Sequence, residues 1–193
     1  QSSLSSNGEA SISSKGSIRS EASSRCEVLI WVIDLLSVQP MTDLSQWNQN
    51  PLLTNSKVDL VINNAGLGFL KEFTLTSASE LQQMMQVNIV SLTVLTKFFI
   101  DLWKTNNSSG QIINIASVAG FFPVPYYSVY AATKSYVISF SSALDQELKD
   151  QGIRVRCFCP GPMHTAFNKV ANVKPDIIQK NTQKFANPNS VAS

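Results

Sequence analysis

From Cys26 onward the chain alternates short apolar runs with longer stretches of helical periodicity, a pattern that predicts a parallel sheet covered by helices on both faces. Residues 28–33 (VLIWVI) carry no polar alternation and read as a buried strand. Residues 58–62 (VDLVI), bounded by Lys57 and by Asn63, Asn64 and Gly66, read as a second. Ser77 with Glu80 three residues later forms a capping-box candidate, and the helix it opens is expected to run to about Lys104, before Asn106, Asn107 and Gly110. Residues 112–116 (IINIA) are the next strand. Another helix is expected from about Tyr130 to Asp150, closed by a left-handed cap at Gly152, and residues 153–158 (IRVRCF) form a strand ahead of Pro160. The expected class is α/β, without internal repeats.

The start of the chain breaks this pattern. Residues 1–25 are dominated by Ser and nearly devoid of apolar side chains, so they cannot bury enough surface to offset their ordering entropy and are expected to be disordered. Residues 26–193 then form the folded unit. Gln1 is neither an initiator Met nor one of the small residues exposed by its removal, which implies preceding sequence. The segment lacks the cationic start, apolar middle and cleavage site of a signal peptide, so a cytoplasmic location is expected.

Composition narrows the partners. With 193 residues, 44% hydrophobic and 15% charged, and a net charge of +2, the chain suits one soluble globular domain, has no basic surplus for nucleic acid, and points to a small-molecule partner. Its longest apolar stretch, residues 92–103, is broken by Thr93, Thr96, Lys97 and Asp101, short of the roughly 18 uninterrupted residues of a spanning helix, so no membrane span is expected. Cys26, Cys157 and Cys159 form neither an even set nor a metal-ligand spacing, and no metal is expected. Cys157 and Cys159 share one face of a strand and read as reduced, buried thiols.

Chemistry enters at Tyr130 and Lys134, four apart on a helix and so on one face a turn apart. A phenol titrates near 10, and acid–base work near neutrality asks for a shift of about 3 units, part of which a neighbouring ammonium can supply. Taken alone, the pair reads more readily as a snorkelled surface contact. Ser117 follows a buried strand at the carboxyl end, where open α/β sheets place ligands, and its hydroxyl there can orient a carbonyl or simply satisfy its own turn. Four motifs occur in order: Asn63, Asn64, Ala65 and Gly66; Ser117; Tyr130 through Lys134; and Pro160 with Gly161. In that combination, from about Val28 to Phe167, the chain resembles the short-chain dehydrogenase/reductase family.

That resemblance implies a Rossmann-like fold and an NAD(P)-dependent oxidoreductase interconverting a ketone and a secondary alcohol. It makes Tyr130 the acid or base at the substrate oxygen, Lys134 the group that lowers its pKa and holds the nicotinamide ribose, and Ser117 the hydrogen-bond partner of the substrate oxygen. Asn88 becomes the fourth catalytic residue, its amide holding a relay water, where the pattern alone allows a solvent-facing polar residue. For the cofactor, the resemblance sets Asn63, Asn64, Ala65 and Gly66 beside the adenosine ribose, Asp34 against the adenine, and Pro160, Gly161, Met163 and Thr165 at the carboxamide. His164, the only histidine, reads as a loop residue, and Asp34 reads equally as a strand-end turn residue. Residues 121–127 (FFPVPYY) are expected to line an apolar pocket between Ser117 and Tyr130, suited to an acyl or steroid-like substrate. The cofactor is NADP or NAD, with a lean to NADP, and homo-oligomers through the helices starting near Ser79 and Tyr130 are expected.

One departure stands out. The family opens with a strand and a Gly-rich turn that receives the dinucleotide phosphates, whereas Gly8 and Gly16 follow no apolar strand and lack that spacing. The first strands, the glycine loop and the last strand have no visible counterpart. Three readings follow: an oxidoreductase whose loop is supplied elsewhere, a degenerate paralogue, or an interaction protein built on the two helices. The first is favoured, because all four catalytic positions keep competent side chains.

Overall fold

The computed structural model describes Gly16–Ser17, Glu27–Val28 and residues 35–36 and 58–161. Strands β1 (Gly16–Ser17) and β2 (Glu27–Val28) pair antiparallel. Residues 16 and 17 thus carry backbone pairing inside the Ser-rich segment expected to be without structure, since a ladder bond needs no apolar side chain. The remainder of that segment, and of the strand expected over residues 28–33, lies outside the described residues.

The main sheet has three parallel strands, β3 (Leu60–Asn63), β4 (Gly110–Ile115) and β5 (Ile153–Phe158), in the order β3-β4-β5. Val61 pairs with Ile112 and Asn63 with Asn114, while Ile112 pairs with Val155. β3 lies two residues later at its start than the apolar run suggested, because the Val58 carbonyl is taken by the Trp103 indole N–H at 2.7 Å and pairing begins at Leu60.

Helix α1 (Ala78–Met85) starts with the expected capping box: Ser77 Oγ accepts from Glu80 N, and the Glu80 carboxylate accepts from Ser77 N at 2.9 Å. Lys71 reaches the same carboxylate at 2.7 Å, and this hydrogen bond, with those from Ser77, holds Glu80 down to about 2. α1 passes into a π-helical segment, Gln86–Ser91, and then into α2 (Leu92–Thr105). α3 (Ser128–Leu148) begins two residues before Tyr130 and ends in a 3-10 turn, Lys149–Gln151, with Gly152 at φ 74° as the expected left-handed cap.

Both α2 and α3 cover one face of the sheet. Phe98, Phe99, Ile100 and Trp103 of α2 meet Ile112, Ile153, Val155 and Leu148 in the main core. A polar ladder threads the same layer: Asn63 Nδ2 donates to Thr96 Oγ1 at 3.1 Å and to Asn114 Oδ1 at 2.8 Å, and Asn114 Nδ2 donates to Ser141 Oγ at 2.9 Å. These buried groups are satisfied within the ladder, so they lock β3, β4 and both helices in register. The helical layer expected on the other face falls outside the described residues.

By length and composition the stretch Ala78–Thr105 is apolar enough to cross a membrane, contrary to the reading of its interrupted sequence, but half of its most apolar window is buried inside the protein. Its apolar residues serve the core.

Candidate active site

Strand β4 ends at Ile115, and Ser117, just beyond it, is extended at φ −167° before a 3-10 turn, Val118–Phe121. Its Oγ accepts from Ala119 N at 3.2 Å and also hydrogen-bonds the Tyr130 phenol. Tyr130 is 8% exposed and Lys134 4%. The turn after Ser117 is pressed on α3 at Gly120, where an added Cβ would lie 2.8 Å from the Lys134 carbonyl carbon and 2.9 Å from Ser135 N. Ser135 Oγ donates to the Gly120 carbonyl at 2.6 Å. Only a glycine allows this approach, and the approach sets the serine against the tyrosine.

Lys134 Nζ donates to the Ile115 carbonyl at 2.9 Å and sits 5.7 Å from the Tyr130 ring centroid. Burial pulls the ammonium down to about 8, with Cys157 and Cys159 acting in the opposite direction. The Tyr130 phenol is raised above its ordinary value by burial, and the Ser117 hydrogen bond opposes this. The sequence suggested a phenol lowered by Lys134. In this structure desolvation dominates, and the ammonium lies over the ring and spends a donor on a backbone carbonyl. Tyr127 meets Tyr130 edge-on at 4.9 Å, and its own phenol is also raised, by burial first and by Tyr130 second.

Asn88, 1% exposed, sits within the π-helical segment. Its Oδ1 accepts from Leu67 N at 2.8 Å, and Nδ2 donates to the Leu67 carbonyl at 2.8 Å and to Thr133 Oγ1 at 3.0 Å. Both amide hydrogens are therefore spent on protein partners, which leaves the second lone pair of Oδ1 as the amide's place for the expected relay water. The amide also pins the loop after β3 to α3. Thr133, which the sequence reading passed over, completes the contact by donating to the Tyr130 carbonyl at 2.7 Å. Its signal was available: it lies between Tyr130 and Lys134 and faces inward with them, at 1% exposure.

Gly66 joins this cluster, since an added Cβ would lie 3.3 Å from Lys134 Nζ and 3.5 Å from Asn88 Oδ1. Asn64 and Ala65 are exposed, whereas Asn63 is buried in the polar ladder rather than turned towards a ligand. Pro160 accepts from Val118 N at 3.1 Å, which brings its loop to the turn after Ser117. Gly161 is exposed, with nothing within 4 Å of an added Cβ. Asp34, Met163, His164 and Thr165 lie outside the described residues.

The apolar run 121–127 divides rather than lining one pocket. Residues 120–125 bound a cavity of about 500 Å³ with Ser128, Ala131, Ala132 and Ser135, on the flank of α3 and without Ser117 or Tyr130. Tyr126 and Tyr127 line a separate small cleft with Phe69, Leu81, Met84 and Tyr130. The turn that separates them puts Tyr126 at φ 66°, a left-handed conformation uncommon for a side chain of its size.

A parallel α/β sheet with a serine at one strand's carboxyl end, facing a Tyr–Lys pair on the next helix, defines a Rossmann-like scaffold with a polar cluster at its ligand-binding end. The chain belongs to the short chain dehydrogenase family, whose model matches residues 8–176. That match begins within the Ser-rich segment, earlier than the resemblance read from motifs. The chain is 30% identical to human 17-beta-hydroxysteroid dehydrogenase type 3 over 69% of its length and 43% of that protein. It is 31% identical to zebrafish (Danio rerio) very-long-chain 3-oxoacyl-CoA reductase-B over 65% of its length and 41% of that protein. The 3-ketoacyl-(acyl-carrier-protein) reductase from Brucella melitensis, solved with NADH, superposes with a TM-score of 0.66 at 26% identity, covering 78% of this chain and 63% of that one. The fold is thus Rossmann-like, and the chain spans about two fifths of the length of these curated relatives.

Proposed function

We propose that the protein containing this chain is an NAD(P)-dependent oxidoreductase that interconverts a ketone and a secondary alcohol, with Tyr130 as the proton donor in the reducing direction. The observation that carries this reading is the buried contact of the Ser117 hydroxyl with the Tyr130 phenol, backed by the Lys134 ammonium. A phenol raised by burial stays protonated through neutral pH, and its release of the proton then relies on the Lys134 ammonium to stabilise the phenolate.

The residues fit a dinucleotide. Gly66 leaves the space beside Lys134 Nζ that a Cβ would fill, Asn64 and Ala65 are exposed next to it, and Gly161 lies open beside Pro160. When bound, the nicotinamide supplies the hydride in reduction and accepts it in oxidation. Ser117 then orients the substrate oxygen, Tyr130 delivers its phenolic proton to that oxygen, and Lys134 stabilises the phenolate left behind while its remaining donors can hold a ribose hydroxyl. Asn88 keeps the Gly66–Leu67 loop against α3 throughout.

An apolar acyl or steroid-like carbonyl is the proposed substrate class. The named functions of the steroid and acyl relatives support that class, and the small cleft at Tyr130 sets Phe69, Leu81 and Met84 beside the polar Lys71 and Thr76. Titration with NADH and NADPH, followed by nicotinamide fluorescence and by thermal stabilisation, tests the reading. Saturable binding with a rise in Tm is expected, and the tighter ligand identifies the cofactor. A folded protein that binds neither would exclude turnover by this chain.

A further inference from the structure

Cys157 in β5 and Cys159, just beyond the strand's end, are half-buried with their sulfurs 3.8 Å apart. Both are free thiols, as expected, but half-buried rather than buried. Both pack on the cluster of Leu92, Ala116 and Val137, and both charges would be felt by Lys134. Around them, two backbone hydrogen bonds straddle Ser117: Ala116 N donates to the Phe158 carbonyl at 2.8 Å, and Val118 N donates to the Pro160 carbonyl at 3.1 Å. The thiol pair therefore brackets the residue, Phe158, whose carbonyl anchors the start of the serine turn, and its second member adjoins Pro160.

We propose that Cys157 and Cys159 form a peroxide-sensitive dithiol whose closure to a disulfide loosens the serine turn and the Pro160 loop. The geometry supplies the lever. Two residues apart on a strand, α-carbons stand about 6.6 Å from each other, at the far end of the range of about 4.4–6.8 Å that a disulfide spans. Closing the bond therefore contracts the backbone at Phe158 and pulls its carbonyl away from Ala116 N.

The chemistry balances with a hydroperoxide as oxidant. Burial holds the Cys157 thiol up to about 11, so it remains protonated and is assigned the resolving role. The Cys159 thiolate attacks the peroxide, the O–O bond breaks, hydroxide leaves, and a sulfenic acid forms. The Cys157 sulfur then attacks the sulfenic sulfur, the S–O bond breaks, and water departs with the Cys157 proton. Two thiols lose two electrons and one hydrogen peroxide becomes two waters. Pairs of this kind in reducing compartments are transient and redox-sensing.

The disulfide itself is independent of the oxidoreductase reading, while its effect on cofactor affinity rests on it. In a Cys26→Ser background, protein treated with hydrogen peroxide is alkylated, digested with trypsin and analysed by mass spectrometry. The peptide 157–169 is expected to lose two hydrogens and to escape alkylation, reversibly with dithiothreitol, and a Cys157→Ser variant is expected to leave a dimedone-reactive sulfenic acid at Cys159. Oxidation is expected to lower Tm and to weaken NADH or NADPH binding roughly tenfold, the loss of about one hydrogen bond's positioning. Two alkylated cysteines, a sulfinic end product or a linkage between chains would overturn the dithiol. An internal disulfide that leaves Tm unchanged would overturn the lever. Absence of cofactor binding before oxidation would instead count against the oxidoreductase reading.

Discussion

Lys134 is the residue whose environment opposes its charge most plainly, and that opposition is measurable. Its folded pKa of about 8 lies below the ordinary 10.5, so between these values the unfolded chain binds the extra proton. Stability contributed by this site therefore rises with pH across that window, and below about 8 the buried ammonium is a full cost. Relative to Lys134→Met, the unfolding free energy of the wild type should increase by up to about 3 kcal/mol between pH 8 and 10.5, read from denaturant titrations at several pH values. Reductase activity should fall as pH rises through about 8, since the ammonium that stabilises the phenolate is then lost. At this scale the ordered motifs singled out Ser117, Tyr130, Lys134 and Gly66 through their family resemblance, and the fold brings the four together. The sequence did not reveal that both hydrogens of the Asn88 amide are consumed by Leu67 and Thr133, since those partners lie 21 and 45 residues away. Nor did it reveal that burial outweighs the Lys134 charge at the phenol, because desolvation depends on packing that spacing does not encode.

Among the elements, α3 is tied to β5 by one carboxylate. Asp145 accepts from Arg154 Nε at 2.9 Å, from Arg154 Nη2 at 2.8 Å and from Val155 N at 2.9 Å, and these bonds hold its carboxyl well below the usual range. A depressed carboxyl stabilises the fold above its unfolded value and loses that contribution as pH falls below about 4. Asp145→Ala should cost about 1–2 kcal/mol at pH 7, discounted for the exposure of Arg154, and the deficit should shrink on acidification. Gly120→Ala probes the other attachment of α3. The added methyl meets backbone, so the serine turn must shift, and we expect a loss of about 1–3 kcal/mol in stability together with a fall in kcat. Element order and type were legible from apolar runs and caps, and the Ser77–Glu80 capping box was fully so. The π-helical turn at Gln86–Ser91 was not, because its register change is set by the Asn88 and Ser91 contacts with distant backbone, Ser91 Oγ donating to the Leu35 carbonyl at 2.6 Å.

At the scale of the whole fold, among the described residues the sheet is best sealed where β4 meets both helices, and Leu60 (49%) and Ile62 (56%) of β3 are exposed on the face away from α2 and α3. The polar ladder from Asn63 to Ser141 fixes the layer that carries Ser117, Tyr130 and Lys134 through contacts among the described residues. The most direct test of the central claim compares wild type and Tyr130→Phe for NADH- and NADPH-dependent reduction of apolar ketones, using the full-length protein and verifying equal Tm. The phenol supplies the proton in this account, so Tyr130→Phe should lower kcat by roughly 10²–10⁴-fold while cofactor binding persists. A Tyr130→Phe enzyme that reduces ketones at the wild-type rate would contradict it.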